Sequence, residues 1–178
     1  MILATYNNSF LDTENMIEIR KAKLKDIDKI SNLFLEAYET QLNIVKKHCP
    51  QHLIDMTVKS ENIKILRDLI KKKIYSKISM LYVSEDNGKL FGFILFSIEK
   101  NSPINKIEKF GRIDNIYINS EYQGKGISNT FKDIAFSWFR NKGINRSQLF
   151  VFQDNRNARK VYEKWGFTNR LIEMRMSI

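Results

Sequence analysis

Apolar residues recur along the chain at two spacings, and these divide it into short strands and amphipathic helices. Alternating or wholly apolar runs predict strands, whereas stripes at intervals of three and four residues predict helices. The predicted strands are Met16–Lys21, Ser79–Glu85, Leu90–Glu99, Arg112–Ile118, Ser147–Phe152 and Thr168–Met176. The predicted helices are Leu24–Gln41, Glu61–Tyr75, one from Ile127 to near Gly143, and one at Ala158–Trp165 that Gly166 closes.

The connections fix the order in which these elements meet. Asn87-Gly88 favours a tight turn, so the second and third strands should form a hairpin. Leu42–Lys59 has no clear period and contains Pro50, which predicts an irregular connection, and Lys100–Lys109 is predicted to be a polar loop. Strands and helices alternate, but three strands run consecutively. This order predicts an α/β (α+β) fold, a mixed β-sheet flanked by helices on both faces.

Length and composition favour one domain. The chain has 178 residues, of which 43% are hydrophobic, and such a chain buries about 70% of its unfolded surface. Residues 1–15 are polar and aperiodic and are predicted to form an N-terminal arm, with residues 16–178 as the domain. A single Cys excludes an intrachain disulfide.

The apolar runs also bear on location. The first fifteen residues lack a basic region followed by a long apolar run. The longest mostly apolar run, Leu90–Ile98, is nine residues, about half of what a membrane helix needs. We therefore expect a cytoplasmic protein with no membrane partner.

The chain is basic, and its second half is the more basic of the two. The net charge is +10, with +3 in residues 1–90 (15 basic, 12 acidic) and +7 in residues 91–178 (15 basic, 8 acidic). A phosphorylated cofactor, a nucleic acid or an anionic lipid would each suit this charge. No predicted helix clusters basic and aromatic residues as a nucleic-acid reader does, so no specific nucleic-acid partner is expected.

The segment Arg112–Ser128 holds the most informative pattern. A predicted strand runs into Gln123-Gly124-Lys125-Gly126, and that loop opens a helix. The glycines permit a tight turn and close approach of a ligand, and a helix start offers unpaired N–H groups and partial positive charge. Lys125 adds a full charge. The pattern indicates a pyrophosphate site, or else a strand–helix connection that needs flexibility.

The segment resembles the phosphate-binding signature of the GCN5-related N-acetyltransferase (GNAT) family, Gln/Arg-x-x-Gly-x-Gly/Ala. Gln123, Gly126 and Ser128 occupy its positions, and Ser128 departs from the usual last residue while keeping a small side chain and its N–H. A second resemblance lies downstream, with Asn155 and Ala158 as Asn-x-x-Ala and residues 162–167 as Tyr-Glu-Lys-x-Gly-Phe. The resemblance covers residues 16 to about 176.

The resemblance implies that an acetyl group passes from acetyl-CoA to a primary amine of a small molecule, peptide or protein, by direct attack in a ternary complex. It implies acetyl-CoA as co-substrate and a possible homodimer. The alternative is a non-catalytic CoA or acyl-CoA-binding module of the same fold. The cofactor-binding residues that it implies are Ile116, Ile118, Gln123, Gly124, Lys125, Gly126, Ile127, Ser128 and Asn155.

Two residues are candidates for proton transfer. Tyr162 matches the family tyrosine that protonates the leaving thiolate, although its helical stripe also fits a core tyrosine. Asp114 matches a position where some members carry a Glu that acts on the amine directly or through water. Strand alternation places Asp114 on the same face as Ile118. The alternative for Asp114 is a salt bridge with a basic neighbour.

A cluster near Pro50 bears on metal binding. His48, Cys49 and His52 are three potential ligands within five residues, but the sequence holds no further His or Cys to complete a zinc site. We predict no metal and expect this segment to lie beside the acceptor site.

Overall fold

The computed structural model describes residues 17–56 and 62–176, so the predicted arm at residues 1–15 lies outside the described residues. Five strands form one sheet: β1 (Ile17–Lys21), β2 (Ser79–Asp86), β3 (Lys89–Lys100), β4 (Lys109–Ile118) and β5 (Ser147–Leu149). Four helices accompany it: α1 (Ile27–His48), α2 (Asn62–Tyr75), α3 (Ile127–Asn141) and α4 (Arg156–Lys164). Short 3-10 turns lie at Leu24–Asp26, Pro50–Met56 and Ser120–Tyr122.

The sheet is mixed and has a core on each face, as predicted. Its order is β1-β2-β3-β4-β5, antiparallel except for the parallel pair β4–β5. Side chains from α1 and α2, such as Ile30 and Ile70, cover one face of the sheet and pack with Phe93 of β3 in one core. Phe131 and Phe139 of α3 cover the other face. Residues on adjacent positions of β3 therefore enter different cores, which explains its nearly continuous apolar run.

The hairpin between β2 and β3 forms where the Asn-Gly pair predicts it. Asn87 has φ 47° and Gly88 has φ 82°. Two successive positive φ angles are those of a turn whose twist matches the flanking strands.

The prediction of an irregular segment after Gln41 is wrong at its start, because α1 continues to His48. Val45 extends the buried stripe of α1 and is 4% exposed. Pro50 ends the helix by restricting the residue before it. The proline alone, rather than a loss of period, marks the end of α1.

Strand boundaries also differ from those predicted. Lys100 pairs with Lys109, so β3 and β4 take both ends of the predicted polar loop. The strand predicted at Ser147–Phe152 is β5 only as far as Leu149. The last predicted strand, Thr168–Met176, does not form. Alternation of apolar and polar residues indicates that a segment suits a half-buried strand. It does not indicate whether another strand lies close enough to pair with it.

A partly buried ion network joins β1 and β2 to the 3-10 turn before α1. Arg20 Nη1 donates to Asp26 Oδ2 at 2.7 Å, and Arg20 Nε donates to Glu85 Oε2 at 2.9 Å. Asp26 is 3% exposed. Burial raises the pKa of Asp26. The hydrogen bonds from Arg20 and from the Lys23 N–H together lower it by more than burial raises it, so the pKa lies below its usual value.

Within residues 17–56 and 62–176, every helix is too short or too polar to span a bilayer.

Candidate active site

The site is organised around a gap between β4 and β5. These parallel strands pair only at Gly111 with Ser147, Arg112 with Gln148, and Ile113 with Leu149. Beyond Ile113, the outer edge of β4 has no strand partner within the described ranges. The last five residues of β4 therefore present one open edge to the space beside β5.

A β-bulge decides which backbone groups line this gap. Ile113 pairs with Phe96 and Asn115 pairs with Leu95, so Asp114 is an extra residue without a partner on β3. Before the bulge, the N–H of Gly111 donates toward β5, to the Arg146 carbonyl at 2.8 Å. An uninterrupted strand would repeat this direction at every second residue, at positions 113, 115 and 117.

After the bulge the direction is reversed. The N–H of Asn119 donates to the Phe91 carbonyl of β3 at 2.8 Å, so by alternation Tyr117 and Asn115 also bond to β3. The intervening residues, Ile116 and Ile118, have their N–H and C=O groups directed toward the gap. One of these groups is already engaged, since Gln123 Nε2 donates to the Ile118 carbonyl at 2.9 Å.

The bulge also overturns the predicted placement of Asp114 on the face of Ile118. Ile113 and Ile118 both belong to the core under α3, and Asp114, directly after Ile113, points to the α1/α2 face. The extra residue breaks the two-residue alternation on which the prediction depended. Asp114 is nevertheless only two residues before Ile116, whose backbone groups face the gap.

Asp114 is held in a salt bridge, the alternative that the sequence left open. Arg112 Nε donates to Asp114 Oδ1 at 2.5 Å, and Arg112 Nη2 donates to Glu99 Oε1 at 2.9 Å. The Asp114 side chain is 9% exposed. Its Oδ2 is buried and has no hydrogen-bond partner among the described residues. Arg112 was missed, although its spacing of two from Asp114 in a strand was a readable signal.

The glycine loop leads from this edge into α3. Gly124 and Gly126 have φ 79° and 81°, and a Cβ added to either would meet no atom within 4 Å. The left-handed backbone, rather than crowding, accounts for glycine here. Asn129 N–H bonds back to the Gly126 carbonyl at 2.9 Å. The N–H groups of Ile127 and Ser128 precede it at the helix start, where backbone donors have no intrahelical acceptor.

Tyr122 anchors the loop to the sheet, a role that the sequence did not reveal. Its ring stacks on Phe91 with centroids 3.8 Å apart, and Lys125 Nζ lies 4.8 Å from the ring centroid. Its hydroxyl donates to Asp86 at 2.8 Å. This hydrogen bond, with smaller contributions from desolvation and nearby carboxylates, raises the pKa of Tyr122.

Tyr162 and Asn155 belong to α4 and its N-terminus. The Tyr162 ring packs 5.4 Å from Trp165 and 6.4 Å from Phe167, and burial raises its pKa to about 12. Its hydroxyl has no hydrogen-bond partner in the described part of the chain. Asn155 Oδ1 accepts from the Ala158 N–H at 3.1 Å and so caps α4. Tyr162 is therefore half-buried against two aromatic neighbours, and its hydroxyl makes no hydrogen bond within the described residues.

On the α1 side, acidic and polar groups meet near the end of β4 and beyond β5. Tyr117 OH donates to Glu36 Oε2 at 3.2 Å, and burial, followed by the charges of Glu36 and Glu39, raises the Tyr117 pKa. Asp154 Oδ1 lies 3.8 Å from His48 Nδ1. Among the described residues, no group of three His, Cys, Asp or Glu side chains is arranged to hold a metal.

The sheet opens between two parallel strands, and the glycine loop and the start of α3 lie at the open end. The model of the acetyltransferase (GNAT) family matches residues 44–167. The chain belongs to this family, and the resemblance seen in the sequence is confirmed.

Several relatives agree with this assignment. Over 89 residues the chain is 34% identical to a provisionally named phosphinothricin acetyltransferase of Bacillus subtilis, covering 49% of this chain and 52% of the relative. Over 94 residues it is 27% identical to a mycothiol acetyltransferase of Thermomonospora curvata, covering 53% of this chain and 29% of the relative. The matched regions thus span about half or less of these relatives.

A solved structure shows the same fold. It is a predicted acetyltransferase from Clostridium acetobutylicum with acetyl-CoA, similar with a TM-score of 0.65 and 21% identity, over 91% of this chain and 96% of that one.

Proposed function

We propose that this protein is an acetyl-CoA-dependent N-acetyltransferase that moves the acetyl group to a primary amine by direct attack in a ternary complex. The observation that carries the proposal is the bulge at Asp114, which directs the backbone of Ile116 and Ile118 into the gap beside β5. Family membership and the glycine loop at the end of the same strand support it.

The residues present suit the parts of the donor. The gap accepts an extended arm, along which the backbone groups of Ile116 and Ile118 offer hydrogen bonds. The loop from Gln123 to Ser128 would bind the pyrophosphate through backbone N–H groups at the start of α3 and through Lys125. Asn155 Nδ2 remains available to the donor, because the cap uses only Oδ1.

Acetyl transfer requires stabilisation of the thioester oxyanion, a proton acceptor for the amine and a proton donor for the thiolate. The N–H of Ile116 would stabilise the negative charge that develops on the thioester carbonyl oxygen. Asp114 would accept a proton from the attacking amine, directly or through water, while the N–C bond forms and the C–S bond breaks. Tyr162 would donate its hydroxyl proton to the departing thiolate. Because its pKa is raised to about 12, Tyr162 keeps that proton at neutral pH.

The acceptor would enter from the α1 side, opposite the face that α3 covers. Glu36 and Glu39 near Tyr117, together with Asp154 beyond β5, supply negative charge on an otherwise basic chain. Such charge favours a cationic amine. A small-molecule amine is our first choice, because the names of the two relatives described above pair acetyl transfer with small molecules. A cytoplasmic location remains a prediction from the sequence.

Thermal unfolding with acetyl-CoA, CoA and ATP tests the donor site. A ligand at 100 times its Kd adds about 2.7 kcal/mol to the free energy of unfolding, which raises the Tm of a domain of this size by roughly 5–10 °C. We expect acetyl-CoA and CoA to raise the Tm and ATP to have little effect. No rise at millimolar acetyl-CoA would exclude the proposed donor.

A panel of amines, assayed by released thiol, then separates an enzyme from a binding module. The salt bridge between Arg112 and Asp114 is the observation that favours a module, because it occupies one oxygen of the candidate base. Thiol release that depends on an amine supports the enzyme. CoA binding without turnover for every amine tested would support the module.

A further inference from the structure

The Asp114 carboxylate has one oxygen in use and one unused. Arg112 Nε donates to Oδ1 at 2.5 Å. Oδ2 is buried and has no hydrogen-bond partner within residues 17–56 and 62–176, and the side chain as a whole is 9% exposed. A buried acceptor that lacks a donor is costly, so native structures seldom keep one without a use. This oxygen is therefore suited to a donor group that a ligand brings.

The strand itself leaves the direction of this carboxylate open. Asp114 is the extra residue of the β-bulge and has no partner on β3, so pairing does not hold it as it holds the residues on either side. The last torsion of an aspartate side chain is also broad, since it joins a tetrahedral carbon to a planar one. A further contact is needed to decide which oxygen faces the acceptor side.

Arg112 supplies that contact and is itself fixed from β3. It pairs with Ser97 across the two strands. Its Nη2 donates to Glu99 Oε1 at 2.9 Å, and the Ser97 hydroxyl donates to the same Glu99 oxygen at 3.0 Å. Ser97 is 1% exposed. Because the donors of a guanidinium lie in one rigid plane, its bonds to Glu99 and Asp114 fix the plane of the group between β3 and the bulge.

We infer that Arg112 is a positioning residue, which holds Asp114 Oδ1 so that Oδ2 faces the acceptor amine. The inference rests on the proposed function, in which Asp114 takes the amine proton. That proton passes to Oδ2, directly or through one water, while the N–C bond forms, the C–S bond breaks and the thiolate takes the proton of Tyr162. Oδ1 stays bonded to Arg112 throughout. The salt bridge then serves the base, because it occupies only the oxygen that the reaction does not use.

A double-mutant cycle on turnover tests this role. Arg112→Gln should lower kcat by about tenfold to a hundredfold, the range for a misplaced catalytic group, and leave the Kd for acetyl-CoA unchanged. In the Asp114→Asn background the same change should lower kcat by less than about twofold, because Arg112 acts only through Asp114. Arg67→Gln is the matched control, since Arg67 Nε also lies against an aspartate, 3.0 Å from Asp28 Oδ1; it should leave kcat unchanged.

Should the glutamine variant fail to fold, Arg112→Lys repeats the cycle with the positive charge kept. A lysine has no planar fork and cannot bond Glu99 and Asp114 in one fixed plane, so it should also lower kcat in the wild-type background and not in Asp114→Asn. An equal loss in both backgrounds, or full turnover in both Arg112 variants, would overturn the inference while the proposed function stands. A wild-type chain that releases no thiol with any amine would refute the proposed function itself, and the inference with it.

Discussion

The Tyr122 hydroxyl donates a 2.8 Å hydrogen bond to Asp86, joining the candidate phosphate loop to the turn end of the β2–β3 hairpin. Stacking of the same ring on Phe91 fixes the loop in a second direction. Residues Gln123 to Gly126 of the loop are exposed. The position of the loop therefore depends on the contacts that Tyr122 makes with the sheet.

We expect Tyr122→Phe to weaken CoA binding by a few fold and Tyr122→Ala to weaken it more. The first change removes a hydrogen bond worth about 1 kcal/mol, and the second also removes the stacked ring. Titration calorimetry with CoA measures both. Tyr75→Ala is the control, because Tyr75 is 65% exposed and distant in sequence from the loop. Equal affinity for all variants would contradict the anchoring role.

Gly126 and Gly143 form a matched pair for testing the loop. Their φ angles are 81° and 72°, and an added Cβ would meet nothing within 4 Å at either. Alanine at each site should lower the free energy of unfolding by about 1–2 kcal/mol through backbone strain alone. Only Gly126→Ala should weaken CoA binding, by about tenfold, the equivalent of 1.4 kcal/mol. A similar loss of affinity in Gly143→Ala would mean that strain, not the site, is responsible.

Tyr162→Phe should lower kcat by about a hundredfold, the lower range for loss of a general acid, and leave CoA affinity intact. Tyr75→Phe serves as its control. The pKa of about 12 keeps Tyr162 protonated on the alkaline side of neutrality. The ratio of wild-type to Tyr162→Phe rates should therefore stay constant between about pH 7 and pH 10, well below that pKa. A ratio that falls to one in this range would remove Tyr162 from the mechanism.

Asp114→Asn should lower turnover by about a hundredfold, because the amide cannot accept the amine proton. The Kd for acetyl-CoA should not change, since none of the proposed donor contacts uses the Asp114 side chain. Glu99→Gln is the matched control, since Arg112 also bonds Glu99. Steady-state rates and calorimetry on the same samples decide the question, and equal turnover in the two variants would count against Asp114 as the base.

The Asp26 carboxylate should make stability depend on pH in the acid range. Its folded pKa lies below the unfolded value of about 3.9, so its contribution is present above that value and is lost as pH falls through the folded pKa. Urea unfolding should show Asp26→Asn to be less stable by about 1–3 kcal/mol at pH 7, with the difference shrinking below about pH 4. Asp28→Asn, at a side chain 73% exposed, should have little effect.

Much of the fold could be predicted because each face of the sheet carries its own apolar set. Phe131 and Phe139 mark the core stripe of α3 by spacing alone, and Asn87-Gly88 marks the hairpin. The terminal strand could not be predicted correctly, because residues 168–176 carry the pattern but the described chain gives them no partner.

The candidate site was less predictable, for a geometric reason. The glycine loop is readable because left-handed backbone demands glycine at Gly124 and Gly126. The sheet face that Asp114 occupies could not be predicted, because the bulge depends on how β4 pairs with Leu95 and Phe96 of β3. Tyr122 is anchored by Asp86, distant in sequence, and single-sequence patterns contain no such pairings.

The bulge at Asp114 adds one residue to β4 without changing how the residues on either side of it pair with β3. Deleting Asp114 would make Ile113 and Asn115 neighbours, which already pair with neighbouring residues of β3, so the amides of Ile116 and Ile118 would still face the gap while the carboxylate would be lost. A substitution at Asp114 leaves that pairing unchanged. Among relatives, a one-residue gap at this position should therefore accompany the loss of the candidate base and leave the open edge of the strand in place.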